Sequence, residues 1–243
     1  MDKMNDILKL KEAINKANRI VIFSGAGLST NSGIPDFRSA DGIYNAKLKS
    51  KFSPEEIISH SFFVKHPDSF YEFYFDKMVY KDAKPNSAHI FFAKLEKEKD
   101  VTVVTQNIDG LHQLAGSKNV IELHGSVMRN YCQKCNKFYS LNELGTSGIP
   151  YCKCGGIIKP DVVLYEESLN ENDINRALEA ISTCDLMIVV GTSLVVYPAA
   201  GFVRYFRGDN LVLLNKSQTS YDSMANIVIH DDVCKVVEEL EKI

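Results

Sequence analysis

His124-Gly125 closes the apolar run Val120-Ile121-Glu122-Leu123. An imidazole exchanges a proton near neutral pH, so a histidine at the end of a buried strand is a candidate general base, and the glycine beside it leaves room for substrate. A lone histidine is more often structural, but other polar clusters stand at comparable places. Thr105-Gln106-Asn107-Ile108-Asp109-Gly110-Leu111-His112 follows the run Val101 to Val104 and offers amides and a carboxylate suited to hydroxyls and a carboxamide. Asn-Ile-Asp-Gly can also form a turn that satisfies only its own backbone. Gly25-Ala26-Gly27-Leu28-Ser29-Thr30 follows the first apolar run. Its glycines would let backbone N–H groups approach a pyrophosphate near a helix start. The third glycine of the dinucleotide fingerprint is absent at position 30, so a tight turn without ligand stays open. In Gly33-Ile34-Pro35-Asp36-Phe37-Arg38 the guanidinium could hold phosphate in a bidentate way, or the segment could be a capped surface turn. Gly191-Thr192-Ser193-Leu194 and Asn215-Lys216 end two further apolar runs with hydrogen-bonding groups.

The cysteines suggest separate chemistry. Cys132-Gln-Lys-Cys135 and Cys152-Lys-Cys154 are 16 residues apart, close to the template of two knuckles that offer four thiolates. Four sulfurs make a closed tetrahedral site, so a zinc ion there is structural; a redox dithiol is the alternative. The second pair is one residue short of the usual gap, and Gly155-Gly156 could relieve the strain. Cys184 and Cys234 stand apart and read as buried small apolar residues.

The elements that must position these residues alternate. Arg19 to Ser24, Val101 to Gln106, Asn119 to Leu123, Asp185 to Gly191 and Asn210 to Asn215 read as parallel strands buried on both faces. Ser87 to Lys99 and Asn172 to Thr183 read as helices between them, and Ile7, Leu10, Ile14 and Ala17 mark an N-terminal amphipathic helix. This predicts an α/β chain with a doubly wound parallel sheet, whose ligands bind beyond the carboxyl ends of its strands. Two stretches break the alternation. Residues 39–84 are rich in aromatics, from Phe62 and Phe63 to Phe70, Tyr71, Phe73, Tyr74 and Phe75, and read as a helical excursion packing on a core. Residues 126–160 carry the cysteine pairs and read as a small inserted zinc-binding domain, leaving 1–125 and 161–243 as the dinucleotide-binding part.

The formal net charge of −3 gives no basic field to attract a phosphate backbone. Lys47, Lys49 and Lys51, and the lysines near the cysteines (Lys134, Lys137, Lys153), would be a local exception, but scattered lysines usually solvate a surface. No apolar run approaches the roughly 18 to 20 residues of a membrane span, and the N-terminus lacks a signal peptide's apolar block. A cytoplasmic protein without a membrane or stable nucleic-acid partner is expected. Oligomeric state is not readable from the sequence.

Together, GAGLST, GIPDFR, TQNIDGLH, the HG after an apolar strand, two cysteine pairs, KPDVVLYEE, GTSLVVYPAA and a late Asn resemble the sirtuin family, in family order from Ile20 to about Val233. The resemblance implies a Rossmann-like sheet and an NAD-dependent deacylase that cleaves NAD and does not reduce it. It implies that Ala26, Thr30 and Arg38 contact NAD, that Phe37, Ile108 and Asp109 line a nicotinamide pocket, and that Gln106 and Asn107 address the nicotinamide ribose. Thr192, Ser193, Asn215 and Asp232 would hold the adenosine half. His124 would be the general base, with Asn107 beside it in the catalytic group, and Cys132, Cys135, Cys152 and Cys154 would hold one zinc ion. The implied products are free lysine, nicotinamide and an acetyl ester of ADP-ribose, with acetylated proteins as partners. Residues 160–167 and Val195-Val196 would flank an extended peptide. Desuccinylating relatives use a Tyr and an Arg three residues on; the closest segment here is Tyr74-Phe75-Asp76-Lys77, so acetyl should be preferred over succinyl.

Three competing readings make different predictions. A hydride-transferring dehydrogenase would need an acidic ribose partner about 20 residues after the glycine loop, which is missing. A mono-ADP-ribosyltransferase would share the first bond cleavage, and a non-catalytic zinc-ribbon module would tolerate loss of His124.

Overall fold

Arg19–Ser24 alternates its side chains between two cores. Ile20 and Ile22 join one cluster and Val21 and Phe23 the other, which places the strand inside a sheet covered on both faces. Each such side chain, fully buried, contributes roughly 1.5–3 kcal/mol. The computed structural model describes residues 3–39, 42–45 and 51–243. Lys47 and Lys49 therefore lie outside the described residues, as does part of the 39–84 excursion.

Nine strands are present among the described residues: β1 (Arg19–Ser24), β2 (Asp100–Thr105), β3 (Val120–Glu122), β4 (Gly125–Cys132), β5 (Phe138–Ser140), β6 (Ile158–Val162), β7 (Leu186–Val190), β8 (Asn210–Leu214) and β9 (Ile227–Ile229). The helices are α1 (Lys3–Lys16), α2 (Pro54–Ile57), α3 (His60–Lys65), α4 (Pro67–Lys77), α5 (Ser87–Leu95), α6 (Leu111–Ala115), α7 (Glu171–Thr183) and α8 (Val233–Leu240). A six-stranded, all-parallel sheet runs β3-β2-β1-β7-β8-β9. The chain builds outward from β1 in one direction and, from β7, in the other. Strand order reverses between β1 and β7, and a crevice opens there beyond the carboxyl ends.

The five expected strands form. The sixth, β9, escapes the sequence reading because its apolar run is only Ile227-Val228-Ile229 between Asn226 and His230, whereas the equally short β3 is marked by a run that continues to Leu123. The first core takes Ile7, Leu10 and Ile14 from α1, Ala88 and Phe92 from α5, and five residues of α8; the second takes Ala177 and Ile181 from α7 and the 3-10 segment Ala199–Tyr205. Helix α5 stops at Leu95, earlier than its expected end at Lys99, and Lys97 to Lys99 finish in turns.

The two irregular stretches pack on one another. β5-β4-β6 form an antiparallel sheet carrying the cysteines, and Val127, Leu141 and Val162 join a third core with Phe62, Phe63, Phe70, Tyr71, Phe73 and Tyr74 from α3 and α4. The aromatics are core, as their density suggested. No helix among the described residues is long and apolar enough to cross a membrane.

Candidate functional site

At the point where strand order reverses, a cavity of about 1320 Å³ gathers the loops after β1, β2, β3, β7 and β8. It exceeds the roughly 300–1,000 Å³ of ordinary small-molecule sites, leaving room for two substrates. Every residue singled out for dinucleotide contact or catalysis lines it: Ala26, Thr30, Phe37 and Arg38; Gln106 to Asp109; His124; and Thr192, Ser193, Asn215 and Asp232.

The glycine loop is built differently from expectation. It enters two short 3-10 turns, Ala26–Leu28 and Thr30–Ser32, and not an α-helix, so a helix dipole adds little. Its glycines make room for protein and not for ligand: a Cβ on Gly25 would sit 2.6 Å from Thr192 Cβ, and one on Gly27 would sit 2.9 Å from the Gly191 carbonyl oxygen. The amides of Gly25, Gly27, Leu28 and Ser29 donate within the fold. Those of Ala26 and Thr30 find no acceptor among the described residues, which leaves them as the loop's donors for an anion. Asn86 caps α5 through its oxygen and with its amide nitrogen holds Leu28 O at 2.8 Å and Ser32 Oγ at 3.1 Å, anchoring the loop from behind.

Ser29 joins this loop to the one after β2. Its hydroxyl donates to Asp109 Oδ2 at 2.7 Å and accepts from Asn107 Nδ2 at 3.2 Å, and that amide also donates to Gly25 O at 3.1 Å. Asp109 Oδ1 accepts from Leu111 N, so the Asp-Gly turn does satisfy its own backbone while the second oxygen faces Ser29. Burial raises the Asp109 carboxyl above the usual range, opposed by the Leu111 amide and the Ser29 hydroxyl. Ser29 and Asn86 were not singled out from sequence. A hydroxyl in the motif was visible, but which of Ser29 and Thr30 turns inward depends on the 3-10 geometry.

His124 follows β3, and its Nδ1 lies 2.9 Å from the carbonyl oxygen of Gln106. A carbonyl only accepts, so Nδ1 carries the proton and Nε2 keeps its lone pair. Burial pushes this imidazole below its ordinary value, with the Gln106 carbonyl acting in the opposite sense, so the neutral form is favoured. Gly125 does not leave space for substrate: its φ is +72° and an added Cβ would stand 1.9 Å from Asp161 O. Strand β6 fills that space, and Val163 N donates to His124 O at 3.0 Å.

On the opposite wall Thr192 and Asn215 bind each other, Thr192 N to Asn215 Oδ1 at 2.9 Å and Asn215 Nδ2 to Thr192 O. Gln106 Nε2 donates to Thr192 Oγ1 at 3.0 Å, tying the β2 and β7 loops together. Asp232 caps α8, accepts from Asn31 Nδ2 at 2.7 Å and pairs with Lys216 at 2.9 Å, so its carboxylate mainly holds neighbouring elements. In the 33–38 segment, Asp36 Oδ1 accepts from the Arg38 and Ser39 amides, a capped turn as the alternative supposed. The Arg38 guanidinium still lines the cavity, 5.2 Å from the Tyr44 ring centre. Of the pair weighed for acyl preference, Lys77 lines the cavity but Tyr74 does not: it is fully buried in the aromatic core, because α4 turns that face inward.

The four cysteines converge, with all sulfurs within 4.8 Å of one another. The Cys132–Cys154 and Cys135–Cys152 separations of 3.4 and 3.6 Å approach the ~3.8 Å edge of a tetrahedron with 2.3 Å zinc–sulfur bonds. The amides of Lys134 and Cys135 point at Cys132 Sγ, and the Tyr139 hydroxyl at Cys152 Sγ, as thiolate ligands require. Gly155, at φ +80°, supplies the left-handed step that the shortened second knuckle needs.

Residues 25–198 match the model of the Sir2 family. An NAD-dependent protein deacetylase of Clostridium perfringens is 59% identical over 240 residues, covering 97% of each chain. One from Clostridium acetobutylicum is 54% identical over 242 residues, covering 98% of each. Among solved structures, a Sir2 His-to-Ala variant with a deacetylated p53 peptide and 3′-O-acetyl ADP ribose superposes with a TM-score of 0.88 at 37% identity, covering 97% of both chains. Sir2 bound to acetylated peptide gives 0.84 at 36% identity, again covering 97% of both.

Proposed function

We propose, from the premise that this chain belongs to the Sir2 family, that it removes acetyl groups from protein lysines and consumes NAD in doing so. The observation that carries this reading is His124: its Nδ1 is fixed on the Gln106 carbonyl, its ring is held neutral by burial, and it shares one cavity with five strand-end loops. A free Nε2 lone pair there is what a general base needs.

In this reading acetyl-lysine, NAD and water become lysine, nicotinamide and an O-acetyl-ADP-ribose. The acetyl oxygen attacks the ribose carbon that bears nicotinamide, the carbon–nitrogen bond breaks, and nicotinamide leaves with the bonding pair as a neutral amide. His124 then takes a proton from a ribose hydroxyl as that oxygen attacks the acyl carbon. Ala26, Thr30 and Arg38 hold the pyrophosphate side, Gln106 and Asn107 the nicotinamide ribose, and Thr192, Ser193 and Asn215 the adenosine half. Asp232 supports that half through Asn31 and Lys216. Phe37, Ile108 and Asp109 enclose the carboxamide and exclude water. The peptide lies extended between residues 160–167 and Val195-Val196, exchanging backbone hydrogen bonds.

Cys132, Cys135, Cys152 and Cys154 hold one structural zinc ion, which closes the 126–160 module; residues 1–125 and 161–243 form the dinucleotide-binding part. We place the reaction in the cytoplasm, with acetylated proteins as partners and no stable nucleic-acid partner. Acetyl is preferred over succinyl, because Lys77 pairs with Asp76 at 3.1 Å and offers no planar fork to an acidic acyl chain.

The test incubates the protein with NAD and an acetyl-lysine peptide and follows nicotinamide, free lysine and the acetyl ester by mass spectrometry, with His124→Ala alongside. Turnover by the wild type alone supports the reading. Stable label from NAD on protein would favour an ADP-ribosyltransferase, and faster turnover of a succinylated peptide would overturn the acyl preference.

A further inference from the structure

Beneath the loop that holds His124 runs a buried polar chain that the reaction leaves unused. His112, in α6, is 1% exposed, and its Nε2 lies 2.9 Å from Ser24 Oγ. Ser24 donates its hydroxyl to Thr105 Oγ1 at 2.8 Å, and the same oxygen accepts the Asn107 amide at 3.0 Å. A serine hydroxyl carries one proton. With that proton committed to Thr105, the hydrogen bond between imidazole and Ser24 needs a proton on His112 Nε2. His112 Nδ1 has no partner among the described residues, so in this tautomer the unpaired ring nitrogen is an acceptor and not a donor.

The chain reaches the site through one rigid unit. The Asn107 N–H and the Gln106 C=O belong to the same planar peptide, so tilting one tilts the other. The N–H is held by Thr105, and the C=O accepts from His124 Nδ1 at 2.9 Å. We infer that His112 is a positioning residue for His124, acting through Ser24, Thr105 and the peptide plane between Gln106 and Asn107. The ring facing it is His89, 4.9 Å away between centres. Burial holds both neutral, His112 at about 3 and His89 at about 4, so the direction of the chain is constant across the working pH range. This assignment rests on the reading of His124 as the base.

Glutamine and asparagine distinguish this role from simple packing. A glutamine amide nitrogen reaches the place of an imidazole Nε2, whereas an asparagine amide reaches only that of Nδ1. His112→Gln should keep kcat within about threefold of wild type, whereas His112→Asn and His112→Leu should lose about tenfold or more, with KM for NAD and peptide within about twofold. In ¹⁵N-histidine-labelled protein the His124 Nδ1–H resonance should shift or broaden in the Asn and Leu variants and return in Gln. Ser24→Ala interrupts the chain one step on, stands in for any variant that fails to fold, and should not add to the His112→Leu loss. Equal activity and an unchanged His124 resonance across Leu, Asn and Gln overturn the inference. The resonance decides the linkage independently of turnover, and a fully active His124→Ala would sink the deacetylase reading alone.

Discussion

Ser29→Ala removes one oxygen from the join between the two loops that enclose the cavity. Ser29 is 1% exposed, and its hydroxyl makes two hydrogen bonds, one to a buried carboxylate at 2.7 Å and one from Asn107 at 3.2 Å. Breaking a bond to a charged partner costs roughly 1.5–3 kcal/mol. If this falls on the placement of Asp109 and Asn107 against NAD, kcat/KM for NAD drops by about 10- to 150-fold, since 1.4 kcal/mol is tenfold. The sign of the pH effect follows as well. Burial already raises the Asp109 carboxyl, and the Ser29 hydroxyl opposes that rise. Without the hydroxyl the carboxyl rises further, so the acid limb of the activity profile moves to higher pH. Initial rates of nicotinamide release, with NAD varied at saturating acetyl peptide between about pH 5 and 8, measure both quantities. A kcat/KM within about twofold of wild type, with the acid limb unmoved, would refute the reasoning.

Because burial holds His124 below 6.5, the neutral base persists as pH falls through that value; turnover should stay level there and decline only at lower pH, and a decline centred above 6.5 would contradict it. His124→Ala should lower kcat by about 10²–10⁴. Cys152→Ser should abolish stoichiometric zinc and lower the melting temperature, read by elemental analysis and calorimetry, and full activity in metal-free protein would refute a folding role for the ion. Gly125→Ala faces a left-handed φ and a backbone oxygen 1.9 Å from the new Cβ, so it should cost more than the ~1–2 kcal/mol of the conformation alone; an unchanged denaturation midpoint would disprove the close approach of β6.

The parallel sheet was legible because its strands are continuous apolar runs between polar strand-end loops, and that pattern is local. The cysteine quartet was legible from spacing alone, since few other chemistries need two such pairs. β9 and the early end of α5 were not, because the apolar run of β9 is bounded at once by Asn226 and His230 and a helix end is set by what it packs against. The site shows the same division. Sequence order placed His124, Gln106, Asn107 and Thr192 at strand ends, but only the fold put the Gln106 carbonyl against His124 Nδ1 and the Ser29 hydroxyl between Asn107 and Asp109. Gly25, Gly27 and Gly125 make the point most plainly. Their identity was fixed in the chain, and the demand for them comes from Thr192, Gly191 and Asp161, residues 36 to 167 positions away that only tertiary packing brings within reach.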